Sequence, residues 1–322
     1  MTREDSPATS PAPPPAPTVA PWRGPVFFGP KGLRAGWRIL LAAAIILTLA
    51  AALGAVVGLI KPLRNFYAQT AHLIRAQNTV LPLGEIANEG FVVVLVLATA
   101  AIMTRIEKRS FADYGLPSNG AFGKRFWQGV LLGFAMLSLL LAVIWAFHGF
   151  SLGGLAARGA TAARYGLLWA IAFLLVGVAE DFVFRGYLQA ALGDGIGFWP
   201  AAVVLAVLFG AIHWSNSGEA LFGCVMAGSF GLLEALALNR TGNLWLLIGM
   251  HASWDWGQTY FYGTPDSGVP ASEHLFNSSF HGAKWLTGGT VGPEGSWLVF
   301  AVLIVWALAI HLLFPAKRSR AT

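Results

Sequence analysis

The sequence predicts an all-α integral membrane protein of about eight transmembrane helices, with a polar site buried in its C-terminal helical bundle. Three observations predict it. The 322 residues are 56% hydrophobic and 11% charged, where soluble domains carry about 25% charged residues. Mean hydropathy is +0.63. The apolar residues fall in separate runs of about 18–25, the length that crosses roughly 30 Å of hydrocarbon at 1.5 Å per residue.

Apolar runs and breakers place the spans at residues 36–59, 84–103, 126–147, 163–183, 199–214, 220–238, 244–259 and 296–314. Residues 61–83 are moderately apolar but contain Arg64, His72 and Arg75, which reads as a loop or an interfacial helix. The tract SPATSPAPPPAPTVAP near the N-terminus can neither form a helix nor bury enough apolar surface to fold. The expected organisation is a disordered Pro/Ala-rich cytoplasmic tail over 1–30, N-terminal transmembrane helices over 31–160, and a catalytic helical core over 161–260. An outer loop and the last transmembrane helix follow over 261–322. The stretch 260–295 is too long and polar for a tight turn, and suggests an ordered outer loop or lid.

A net charge of +6 and a pI near 9.7 would suit a nucleic-acid binder, but the basic residues sit at the ends of apolar runs. Arg23, Lys31, Arg34 and Arg38 precede the first span; Lys317, Arg318 and Arg320 follow the last. With Arg105, Lys108, Arg109, Lys124 and Arg125 on the same side, the positive-inside rule puts both termini in the cytoplasm. The expected partner is the lipid bilayer, with no nucleic acid, and the Ala/Gly/Pro-rich chain reads as a multi-pass protein of a bacterial inner (plasma) membrane. Cys224 is the only cysteine, so no internal disulfide and no Cys-rich zinc site can form.

Ionisable side chains in hydrocarbon cost about 2.5–3.5 kcal/mol each, so their positions carry information. Three groups stand out in the second half. In AEDFVFRGYLQ, Asp181 and Arg185 stand four apart and share a helix face, leaving Glu180 about 100° away and free for another task. In LFGAIHWSN, His213 ends the fifth span. In GNLWLLIGMHASWDW, His251 and Asp255 share a face at i, i+4, as paired metal ligands or a carboxylate-oriented imidazole require. Glu180, His213 and His251 could hold a zinc ion that activates water. Equally, Glu180 could act as general base with His213 orienting the water, while His251 and Asp255 stabilise the oxyanion. Glu219 reads as an end cap and Glu234 as a packing or supporting residue.

These motifs resemble the CPBP family of intramembrane proteases, the CAAX-protease and bacteriocin-processing group. Its pattern is Glu-Glu-x-x-x-Arg, Phe-x-x-x-His and His-x-x-x-Asn/Asp on successive helices. Here it is similar to Glu180-Asp181 to Arg185, Phe209 to His213 and His251 to Asp255, and the likeness covers about 163–256. The resemblance implies an endopeptidase acting on a peptide or membrane-protein substrate near the cytoplasmic face. It implies that Glu180 and His213 activate water, that His251 and Asp255 assist, and that Arg185 fixes Asp181. Asp181 replaces the usual second Glu. Asp255 stands where the prenyl-protein proteases have Asn; an ionised Asp would repel an oxyanion, so it must be protonated, orient His251 or ligate a metal. A non-catalytic immunity or scaffolding protein would also suit these residues, as would a proton-coupled transporter, against which the lack of internal repeats speaks.

Overall fold

The computed structural model describes residues 26–29, 32–77, 79–216 and 221–315. The expected tail up to residue 25, with Arg23, lies outside them, as do Lys31, Glu219 and the C-terminal Lys317, Arg318 and Arg320. The helices are α1 (Ala35–Leu59), α2 (Lys61–Gln77), α3 (Pro82–Glu107), α4 (Lys124–Ala146), α5 (Gly159–Asp181) and α6 (Leu188–Ile196). They continue as α7 (Phe198–His213), α8 (Leu221–Thr241), α9 (Leu244–Trp256), α10 (Lys284–Thr287) and α11 (Leu298–Leu313). Sheet is confined, among the described residues, to two antiparallel pairs of two-residue strands: β1 (Phe28–Gly29) with β2 (Gly32–Leu33), and β3 (Phe150–Ser151) with β4 (Ser279–Phe280).

Each of the expected spans coincides with a helix, yet they are not equal. Among the described residues, five helices are long and apolar enough to cross a membrane: α1, α3, α4, the run Gly159–Ile196, and α8; α7 and α11 are shorter. The expected seventh span is the 13-residue α9, continued by a π turn over Gly257–Phe261. The segment 61–77 takes the helical alternative, as the largely exposed α2.

One boundary differs. The fourth span does not stop near residue 183; α5 passes through a π turn, Phe182–Tyr187, into α6, giving 38 continuous helical residues. At 1.5 Å per residue that is roughly 57 Å, well beyond the thickness of the hydrocarbon. The apolar run ends near residue 183, but Arg185 is paired inside the bundle and the helix continues through it.

At the centre is α9, buried on every face from Leu244 to Asp255. Glycines let α4 lie against it: a Cβ at Gly129 would collide with the Leu246 carbonyl, and one at Gly133 with the Met250 carbonyl. Such small-residue contacts let helix backbones approach closely where no hydrophobic force drives association. Helix α9 starts from an Asn243 cap, whose Oδ1 accepts from Trp245 N at 2.9 Å, while Leu244 N donates to Gly115 O at 2.7 Å.

These contacts define two ends of the bundle. One end holds the α3–α4 connection, where Ser110 and Asp113 form a reciprocal cap. Here Arg38, one of the basic residues read at the start of the first span, is buried; it pairs with Glu107 at 2.5 Å and Asp194 at 2.8 Å. Tyr187 and Tyr114 donate to Glu107 at 2.8 and 3.1 Å. Burial and the neighbouring Glu107 carboxylate push the Tyr114 hydroxyl up, keeping it a donor. The other end is closed by the chain that follows α9. It is pinned by β3–β4, by a bridge between Val80 and Ala271, and by Gln258 Nε2 donating to Pro265 O at 2.6 Å. Glu294 accepts from Ser267 N within it. The stretch 260–295 thus packs against this end of the bundle.

Candidate active site

Because α9 has no solvent-facing side, its polar residues must find partners inside the protein. His251 finds three. Its Nδ1 lies 3.4 Å from Asp181 Oδ1 on α5; its Nε2 lies 3.5 Å from Asp255 Oδ2, one turn along α9, and 3.7 Å from Glu180 Oε2. A carboxylate can only accept, so Nδ1 carries a proton towards Asp181, and Nε2 faces the other two acids. The adjacent acids of α5 therefore divide as their angular offset requires: Asp181 is fully buried, whereas the Glu180 side chain is 30% exposed.

Arg185 completes the buried side of the cluster. It stands 3.7 Å from Asp181, the expected partner, but 2.9 Å from Glu234 Oε2 on α8. Its guanidinium also lies 3.9 Å from the centre of the Phe209 ring, a cation–π contact. Phe209 in turn touches the His213 ring, with centroids 4.7 Å apart. His213 Nδ1 is 2.7 Å from the Phe209 carbonyl. Since that oxygen can only accept, Nδ1 holds the hydrogen, and a neutral ring leaves Nε2 as an acceptor.

Glu180, His213, His251 and Asp255 line one cavity of about 290 Å³. The sequence reading missed six polar residues of its wall: Glu85 and Glu89 on α3, Asn216 after α7, and Thr259, Asp266 and Ser267 from the chain after α9. No Lys or Arg is among its described lining residues, so the wall favours a cationic group. Glu85 and Glu89 had a legible signal, an i, i+4 acidic pair on an apolar helix with no basic partner in register, the same rule that found His251 and Asp255. Asn216 and Asp266 had none, because they reach the cavity only through the turn after α7 and the fold of a long loop.

A zinc ion held by Glu180, His213 and His251, as the sequence allows, needs their ligand atoms close together. Among the described residues, the acids and imidazoles whose ligand atoms all come within 4.8 Å of one another are Asp181, Glu234 and His251, not Glu180, His213 and His251. That group already has a cation in it, the Arg185 guanidinium against both carboxylates. A dication there would meet a fixed like charge, so these residues do not fit a zinc ion as they stand.

Residues 162–257 match a family model described as Rce1-like, type II CAAX prenyl endopeptidase Rce1-like. The match runs from α5 to the end of α9, is consistent with the CPBP family, and supports an intramembrane protease of CAAX type. No curated protein and no solved structure matches the chain.

Proposed function

We propose that this chain is an intramembrane endopeptidase that hydrolyses a peptide bond of a membrane-associated or peptide substrate in the cavity walled by α3, α5, α7 and α9. The observation carrying this reading is convergence: Glu180, His213, His251 and Asp255, from three helices, share one cavity within the segment that matches the protease family.

Glu180, the accessible acid of the pair, takes a proton from a water whose other hydrogen is held by His213 Nε2. The water oxygen attacks the carbonyl carbon. The proton passes from Glu180 to the amide nitrogen as the C–N bond breaks, leaving an acid and an amine and returning Glu180 to its starting state. Positioned acid–base groups of this kind contribute about 10²–10⁴-fold. His251, held through Nδ1 by Asp181 at 3.4 Å, faces Glu180 with Nε2 and fixes its carboxylate. Asp255 lies 3.5 Å from that same nitrogen and acts on His251, not on the oxyanion it would repel. The neutral amide of Asn216, on the cavity wall, is the donor suited to the oxyanion.

The test is hydrolysis of a quenched peptide library by purified full-length protein in ¹⁸O-enriched water. One ¹⁸O should enter the new carboxyl terminus of the N-terminal fragment, and none the fragment that gains an amine. Folded protein that cleaves nothing, or product that reaches the carboxylate through a covalent adduct with the protein, contradicts the reading.

A further inference from the structure

We infer that the cavity lies at the non-cytoplasmic end of the bundle and takes an extracytoplasmic polypeptide segment as its substrate. That the bound segment is a substrate rests on the protease reading; the end at which the cavity lies rests on geometry, and the sidedness of that end on the basic residues.

Helix α9 fixes the direction. Leu244 N donates to Gly115 O, and Trp245 Nε1 to Pro117 O at 2.8 Å, so α9 starts at the end holding the α3–α4 connection. His251 and Asp255 come two and three turns later, towards the opposite end. The rest of the cavity agrees. Glu85 and Glu89 lie in the first turns of α3, beside Val80, while Glu107 at the far end of α3 joins Arg38. Asp266 and Ala271 come from the loop that closes the end away from Gly115, where Val80 bridges Ala271.

The basic residues divide between these ends unequally. Arg34, Arg38, Arg105, Lys108, Arg109, Lys124, Arg125 and Arg240 belong to the α9-start end; in the sequence Arg23 and Lys31 precede α1 and Lys317, Arg318 and Arg320 follow α11, outside the described residues. The cavity end has Lys61, Arg64, Arg75, Arg158, Arg164 and Lys284. That Arg38 and Arg109 pair with Glu107 and Asp194 does not weaken the bias, since orientation follows the Lys and Arg themselves rather than net charge. The heavily basic end is cytoplasmic, and the cavity lies at the opposite end. This reverses the expectation of cleavage near the cytoplasmic face. A substrate tail confined to the cytoplasm would meet the buried Asp181, Arg185 and Glu234 before Glu180, whereas an exported segment or the outer end of a membrane-anchored polypeptide approaches from the end where the cavity lies.

Two measurements on the full chain test this. In a Cys224→Ala background, Asn277→Cys places a thiol on the loop at the cavity end and Ser118→Cys one at the other end, both at exposed positions. A membrane-impermeant maleimide should label Asn277→Cys in sealed right-side-out vesicles and Ser118→Cys only in inside-out ones; the reverse pattern overturns the inference. The same vesicles are given a membrane-impermeant quenched peptide that the detergent-solubilised protein cleaves. Glu180-dependent cleavage confined to right-side-out vesicles is expected, and cleavage confined to inside-out vesicles overturns the inference while leaving the protease reading standing. No Glu180-dependent cleavage even in detergent removes the protease reading instead, and the labelling still decides on which side of the membrane the cavity end lies.

Discussion

Arg185→Leu should destabilise the protein severely. Arg185 is the cation between two carboxylates whose side chains are fully buried, 3.7 Å from Asp181 and 2.9 Å from Glu234. With no solvent to screen either acid, removing the guanidinium leaves Glu234 without its cation and Asp181 with only His251, a change that costs about 3–5 kcal/mol when a buried pair is broken. The stacking on Phe209, 3.9 Å from its ring centre, adds up to about 2 kcal/mol when desolvated. At about 2–4 °C per kcal/mol, the midpoint of thermal unfolding in detergent should fall on the order of 10 °C. The control follows from the mechanism: adding Glu234→Leu to Arg185→Leu removes one of the stranded charges and should recover part of the loss. A single variant that melts with wild type, or a double variant that melts lower than the single, refutes the argument that Arg185 is held there to balance two buried acids.

The other predictions concern packing and pH. Gly129→Ala drives a methyl group into the Leu246 carbonyl and should cost about 1–3 kcal/mol as overpacking; Gly90→Ala on α3, with nothing within 4 Å of the added atom, should leave the midpoint unchanged under the same melt. Asp113 is held below the usual carboxylate range by the Ser110 backbone N–H and then by the Ser110 hydroxyl. Its folded value is depressed, so the cap it makes is fully present above its unfolded pKa near about 4 and is lost as pH falls through the folded value. Amide exchange around residues 110–115 should therefore quicken only at strongly acidic pH, and Asp113→Ala should quicken it already at neutral pH.

How much of this was legible depends on what kind of fact was being read. Spans follow from apolar run length, which the bilayer enforces, and every proposed span meets a helix. The face logic also carried: His251 and Asp255 share a face, and Glu180 and Asp181 diverge, because a helix fixes angle from spacing alone. What one-dimensional spacing cannot give is the partner on another helix. Arg185 read as the local partner of Asp181, yet its shorter contact is to Glu234 on α8. The apolar run also read as a span ending near residue 183, where a π turn instead carries the helix on to Ile196. Glu85 and Glu89 were visible as a pair but not as part of the site, since only the packing of α3 beside α5 brings them to the cavity.

The central claim is that Glu180, the accessible acid facing the cavity, handles the proton of the attacking water. Glu180→Gln keeps the shape of the side chain and removes the base, with His251 Nε2 still 3.7 Å from that position in the wild-type geometry. Single-turnover cleavage by the two proteins, matched for unfolding midpoint, should differ by about 100- to 10,000-fold. A Glu180→Gln variant that cleaves at the wild-type rate would contradict the account.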